Sequence, residues 1–302
     1  MIWLLHFLDT IRFNFVEILG MKKRKLEIAV ISDVHLGTYD TYADELLAYL
    51  CSIQPKILIL NGDIIDIWQF KKSYFPTSHL NVVKKIVSMA SKGTEVHYIM
   101  GNHDETPKTL ANISLGNIKF SRKLVLNLNG KKMWFFHGDV FDIPWINGRW
   151  LAQLGSLGFG FLVHLNKLNN WFLKRLKKEK YSLAKKIKQN EKKSDKYIST
   201  FEETVIDVAI QNRFDFVICG HIHKPKKEYI EKRSGKVTYL NSGDWVENLT
   251  ALEYSLKRWK MYHYKNDKLS PFFMDEALKE MNLDQLIASI ELKEKDKKDI
   301  SF

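Results

Sequence analysis

Residues 25–37, KLEIAVISDVHLG, set the fold class. LEIAVI is short and rich in β-branched side chains, the pattern of a strand buried in a sheet. The loop that follows at once, SDVHLG, carries Asp33 and His35. The pairing of apolar run and polar loop then recurs along the chain. KILIL is followed by NGDIID with Asp63, EVHYIM by GNHD with Asn102, His103 and Asp104, KMWFF by HGD with His137, and FDFVIC by GHIH with His221 and His223.

Residues 42–52, 80–91 and 200–211 have helical spacing, and VTYLNS, TALEY and KMYHY read as later, more closely spaced strands. An early βαβα order followed by such strands predicts a layered α/β fold with a mixed sheet or a sandwich. In sheets of this kind ligands gather beyond the carboxyl ends of the strands. Each of the polar loops above occupies that position.

With 302 residues and 45% hydrophobic side chains, the chain can bury one large core, as one domain or as one domain with an insertion. Cys51 and Cys219 both lie in or beside apolar runs, which argues against a disulfide framework and for a reducing, cytoplasmic compartment. The net charge of +12 is unevenly placed: residues 171–196 hold eleven Lys and Arg against three Asp and Glu. The expected organisation is an apolar extension over 1–21, a main domain over 22–268 interrupted by a helical insertion at about 145–199, and a Lys-rich tail over 269–302.

The first twenty residues, MIWLLHFLDTIRFNFVEILG, are interrupted by His6, Asp9, Arg12, Asn14 and Glu17, so no uninterrupted apolar run reaches spanning length. They lack the basic start and small-residue cleavage site of a secretory signal. Two readings stay open: an amphipathic helix that lies on a membrane or packs on the body, and a native start at Met21.

Asp, His and Asn side chains of this number supply hard oxygen and imidazole ligands for two divalent ions, with a carboxylate available to bridge them. Singly, each motif has a plain structural reading. D-x-H is often a polar strand end, NGD a turn, and H-x-H a satisfied pair. Five such loops in order, each after a buried strand, are not required by packing.

In series, D-x-H, G-D-x-x-D, G-N-H-D, H-G-D and G-H-x-H resemble the calcineurin-like metallophosphoesterases, over roughly Leu26 to Tyr264. The resemblance implies a four-layer α/β/β/α sandwich and two metal ions. One ion would take Asp33, His35, Asp63 and His223, and the other Asp63, Asn102, His137 and His221, with Asp63 as the bridge. Manganese is the metal it implies, while iron and zinc also suit the donors. Two such ions lower the pKa of a shared water to give an attacking hydroxide and neutralise charge on the phosphoryl oxygens. His103 would contact the phosphate or protonate the leaving oxygen, with Asp104 either orienting its ring or capping a helix.

HGDVFD and GDWVENLTALEY resemble the branch that contains the UDP-2,3-diacylglucosamine pyrophosphatases of lipid A biosynthesis, which release UMP and an acylated sugar phosphate. The expected substrate is then a lipid-linked nucleotide sugar. The insertion, apolar and then basic, would receive acyl chains and dock peripherally on the anionic inner leaflet. A solvated helical hairpin is the simpler reading of the same residues. The pathway enzymes carry Arg where this chain has His103, so the general phosphoesterase motif is present here. A phosphoprotein or cyclic-nucleotide phosphatase would share the metal site. A nuclease is disfavoured because the basic run lacks interleaved aromatics. A scaffold without metals is disfavoured because all seven expected ligands are present.

Overall fold

A computed structural model of the protein describes residues 22–66, 75–104, 114–141, 191–270 and Phe273, with side chains of the last helix described from Tyr197. Its strands are β1 (Arg24–Ile31), β2 (Ile53–Asn61), β3 (Glu95–Ile99), β4 (Ser114–Leu115), β5 (Ile118–Ser121) and β6 (Lys123–Leu128). They continue as β7 (Lys131–Phe136), β8 (Phe216–Cys219), β9 (Lys226–Lys232), β10 (Gly235–Asn241), β11 (Thr250–Ser255) and β12 (Arg258–His263). The helices are α1 (Ala43–Ser52), α2 (Thr77–Ser91) and α3 (Glu191–Gln211).

Seven strands form one sheet in the order β12-β11-β1-β2-β3-β5-β4, and five form a second in the order β6-β7-β8-β10-β9. Centres are parallel and margins antiparallel: β1 pairs with β2 and β2 with β3 in parallel, as do β7 with β8 and β8 with β10. Side-chain alternation along the central strands sends residues to different cores. On β1, Ala29 and Ile31 join Leu46, Tyr49, Val82 and Ile86 of α1 and α2, whereas Ile28 and Val30 turn toward the second sheet. There they meet Met133, Phe135, Ile218 and Leu240. The outward-facing Trp134, Phe136, Val217 and Tyr239 pack instead on Phe201, Val205 and Ala209 of α3. Three cores therefore separate helices, sheet, sheet and helix, in that order.

The boundary of the third helix differs from the expectation. It begins at Glu191, not 200, and Ile198 is 7% exposed in the core beneath it. Ile198, Phe201, Val205 and Ala209 fall three to four residues apart, one continuous buried stripe. The end of the stretch assigned to the insertion thus belongs to the body of the fold. The rest of the insertion, the extension over 1–21 and nearly all of the tail lie outside the described residues. No helix among the described residues is long and apolar enough to cross a membrane.

Candidate metal centre

All five expected loops leave the carboxyl ends of β1, β2, β3, β7 and β8, and they converge where the two sheets meet. Polar contacts stitch the sheets together there. Asn61 Nδ2 donates to the carbonyl of Phe136 at 3.0 Å, and the amide of His221 donates to the Asp33 carboxylate at 3.0 and 3.1 Å. Below, the loops after β1 and β2 continue the pairing of their strands, with the amides of Val34 and His35 both on the carbonyl of Asp63 at 2.9 Å.

Three groups of side chains result, each with its donor atoms within 4.8 Å of one another: Asp33, His35 and His223; Asp63, His137 and His221; and His35, Asp66 and His103. His223 Nε2 stands 3.2 Å from Asp33 Oδ1, and His137 Nε2 stands 3.2 Å from Asp63 Oδ2. Asp33 and Asp63 are buried at 0% and 2% exposure. Asn102 sits in the same loop as His103, whose backbone amide donates to Asp63 Oδ1 at 2.8 Å.

The backbone is bent to make this arrangement. Asp33, His35, Asp63, His221 and His223 all hold left-handed conformations, with φ from 52° to 69°. For residues with a Cβ that conformation is unfavourable by about 1–2 kcal/mol each, and such strain is typical of functional sites. Glycine allows close approaches to two of these ligands. A Cβ on Gly62, at φ +87°, would run into the His137 ring, and one on Gly101 into Asp63 Oδ1.

These residues fit divalent ions. His137 Nδ1 donates to the carbonyl of Asn61 at 3.0 Å and His35 Nδ1 donates to Asp66 Oδ2 at 3.2 Å, which leaves each Nε2 lone pair for a ligand. His35 Nε2 is buried and has no hydrogen-bond partner among the described residues. Without metal, protons take up the charge. Burial lowers the pKa of His223, but the Asp33 carboxylate outweighs it and holds the ring at about 9. Burial likewise opposes protonation of His137, and Asp63 overcomes it, keeping that pKa well above the ordinary value.

Asp66 is the residue that sequence reasoning missed. It is fully buried, and its Oδ2 accepts from both His35 Nδ1 and, at 2.9 Å, His103 Nδ1. Burial lowers the His103 pKa, yet the Asp66 hydrogen bond and the nearby Asp63 charge leave it raised. The ring contact expected of Asp104 is therefore made by Asp66. The Asp104 carboxylate instead accepts from the amides of Asp63 at 2.7 Å, Ile64 at 3.0 Å, Ile65 at 2.9 Å and Gly101 at 3.0 Å, and from the Tyr98 hydroxyl at 2.6 Å. Neighbouring residues in a tight turn point apart, so adjacency in GNHD did not put Asp104 on the ring of His103. The signal for Asp66 was the second aspartate of NGDIID. GDWVEN also gains a role: Asp244 accepts from the amide of Val246 at 2.9 Å, and Asn248 Nδ2 donates to the carbonyl of His223 at 2.9 Å.

Curated relatives include the UDP-2,3-diacylglucosamine hydrolase of Blochmanniella pennsylvanica (strain BPEN), 27% identical over 66% of this chain and 80% of that one. The UDP-2,3-diacylglucosamine hydrolase of Histophilus somni (strain 2336) is 27% identical over 74% of this chain and 94% of its own. Among solved structures, an archaeal phosphodiesterase aligns with a TM-score of 0.38 and 12% identity, over 78% of this chain and 98% of that one. The profile of the calcineurin-like phosphoesterases matches residues 26–225. That match takes in every loop of the centre, and the chain belongs to the calcineurin-like phosphoesterase family, a metal-dependent hydrolase of phosphoric ester or anhydride bonds.

Proposed function

We propose that the protein hydrolyses the pyrophosphate of UDP-2,3-diacylglucosamine to UMP and 2,3-diacylglucosamine 1-phosphate. The observation that carries the hydrolytic half is the pair of Asp and His clusters at the meeting strand ends. The relatives named for this substrate, which align over most of their own length, support the choice of substrate.

In this reading Asp33, His35, Asp63 and His223 would hold one ion, and Asp63, Asn102, His137 and His221 would hold the other, with manganese as the metal. When bound, the two ions supply an activated water and neutralise charge on the phosphoryl group. Asp66 and the carbonyl of Asn61 keep His35 and His137 in the tautomer that offers Nε2. Protonated His103, held by Asp66, contacts the phosphate or gives its proton to the leaving oxygen. Asp104 fixes the backbone of Asp63 and Gly101, and so acts on the position of the bridging carboxylate.

A second reading, a phosphodiesterase or phosphatase acting on another nucleotide, nucleic acid or phosphoprotein, is favoured by His103 standing where the pathway enzymes carry Arg. The deciding measurement is hydrolysis of UDP-2,3-diacylglucosamine beside a generic phosphodiester and single-stranded DNA, with and without manganese. UMP release far above the generic rate supports the lipid substrate, and manganese-dependent cleavage of the generic diester alone supports the second reading. A peripheral place on the cytoplasmic face of the inner membrane belongs to the first reading. Deleting only the part of the insertion that precedes α3, residues 145–190, should then abolish liposome binding while hydrolysis of a small diester persists.

A further inference from the structure

The loops that follow β1 and β10 meet in an open cleft of about 350 Å³, lined by Tyr39, Asp40, Thr41, Tyr42, Val246 and Glu247. Its walls are tied to the metal centre through the backbone. Thr41 Oγ1 lies 2.7 Å from the carbonyl oxygen of His35, the amide of Tyr42 donates to the carbonyl of Trp245 at 3.0 Å, and the amide of Trp245 donates to the carbonyl of Asp33 at 3.1 Å. On the other wall, Asn248, next to Glu247, holds the carbonyl of His223. Two of the expected ligands, Asp33 and His35, thus share a loop with the cleft, and a third, His223, is hydrogen-bonded to its other wall.

Among the described residues, two of the three exposed tyrosines line this one cleft. Tyr39 is 70% exposed and Tyr42 46%, side by side in one depression. Beside them stand the carboxylates of Asp40 and Glu247 and the hydroxyl of Thr41, with no Lys or Arg among the described residues that line the cleft. Such a surface sets aromatic faces beside acceptor oxygens. It suits a flat, uncharged group that brings its own hydrogen-bond donors, as a base with its ribose does: aromatic faces stack on the base, and carboxylates accept from sugar hydroxyls or ring N–H groups.

We propose that this cleft is the nucleoside subsite, with the base against Tyr39 and Tyr42, donors met by Asp40 and Glu247, and the attached phosphates directed to the metal centre. The assignment rests on the reading of the substrate as a UDP-linked sugar and adds where its nucleoside end is held.

The test is calorimetric binding of UMP, with inorganic phosphate in parallel, to the manganese-loaded full chain and its Tyr39→Ala, Tyr42→Ala and Tyr39→Phe variants. Both alanine variants should lose about tenfold in UMP affinity, as expected for one lost stacking contact. Phosphate affinity should not move, and Tyr39→Phe should keep near-native UMP affinity. The KM for UDP-2,3-diacylglucosamine should rise in step, while kinetics on a generic diester stay unchanged. If the wild type binds UMP no better than phosphate, or both alanine variants bind UMP like the wild type, the subsite is refuted. A wild type that binds UMP through the tyrosines yet releases none from UDP-2,3-diacylglucosamine would retain the subsite and reject that substrate.

Discussion

Asp66 joins two imidazoles through one oxygen, and its removal separates two roles. Asp66→Asn keeps the shape and removes the charge that raises the His103 pKa. A protonated His103 that acts as an acid gives a rate that falls as pH rises through its pKa. With that pKa lowered, the alkaline limb of kcat/KM should move to lower pH, and the rate should drop by about 10–100-fold, the usual effect of losing a carboxylate behind a ligating or catalytic histidine. A limb that stays in place would exclude His103 as the acid. Asp104 should behave differently. In Asp104→Ala four backbone amides and the Tyr98 hydroxyl lose their acceptor, so the melting temperature should fall by an amount equivalent to about 3 kcal/mol or more. His103→Ala should keep its melting temperature and metal content and lose rate. The two acidic neighbours of the site were visible as residues in NGDIID and GNHD, but their partners were not. Which way each carboxylate turns depends on left-handed backbone at Asp63 and on the Leu36–Ile65 bridge, neither of which spacing encodes.

At the scale of elements, the parallel strands were the most legible, because β1, β2, β7 and β8 are buried on both faces and read as uninterrupted apolar runs. The margins were less so. Strand β6 alternates exposed and half-buried residues, and its hairpin with β7 turns on Asn129–Gly130, at φ 54° and 73°, a local signal weaker than a buried run. Helix α3 was expected to start only at Thr200, because the Lys-rich run before it was assigned to the insertion, although the apolar stripe runs back through Ile198. Ile198→Ala measures the difference. If α3 is core from Tyr197 onward, the substitution should destabilise the fold by about 2–4 kcal/mol in denaturant unfolding, the range for emptying a buried aliphatic site. An exposed control on the same helix, Glu203→Ala, should change it by less than about 0.5 kcal/mol. Equal effects at the two positions would detach this end of the helix from the core.

For the whole molecule, the metal centre is also the joint between the sheets. Asp33, His35, Asp63 and Asn102 come from the seven-stranded sheet, and His137, His221 and His223 from the five-stranded one, so ions held by both groups would couple metal binding to global stability. That coupling has a definite pH dependence. In the metal-free protein the His223 pKa is raised to about 9 by Asp33, despite burial. Its contribution to stability is therefore complete below the unfolded value of about 6.5 and is lost as pH rises toward 9. Metal binding runs the other way, since a ligating imidazole must give up its proton. Each displaced proton strengthens apparent affinity by about tenfold per pH unit, and His137, also held protonated by Asp63, adds a second. Melting curves from pH 6.5 to 9 should thus fall with chelator and stay nearly level with manganese, and the gap between them should widen steadily. A constant gap would mean that these imidazoles are not displaced from protons when the metal binds, and the ligand assignment would have to be abandoned.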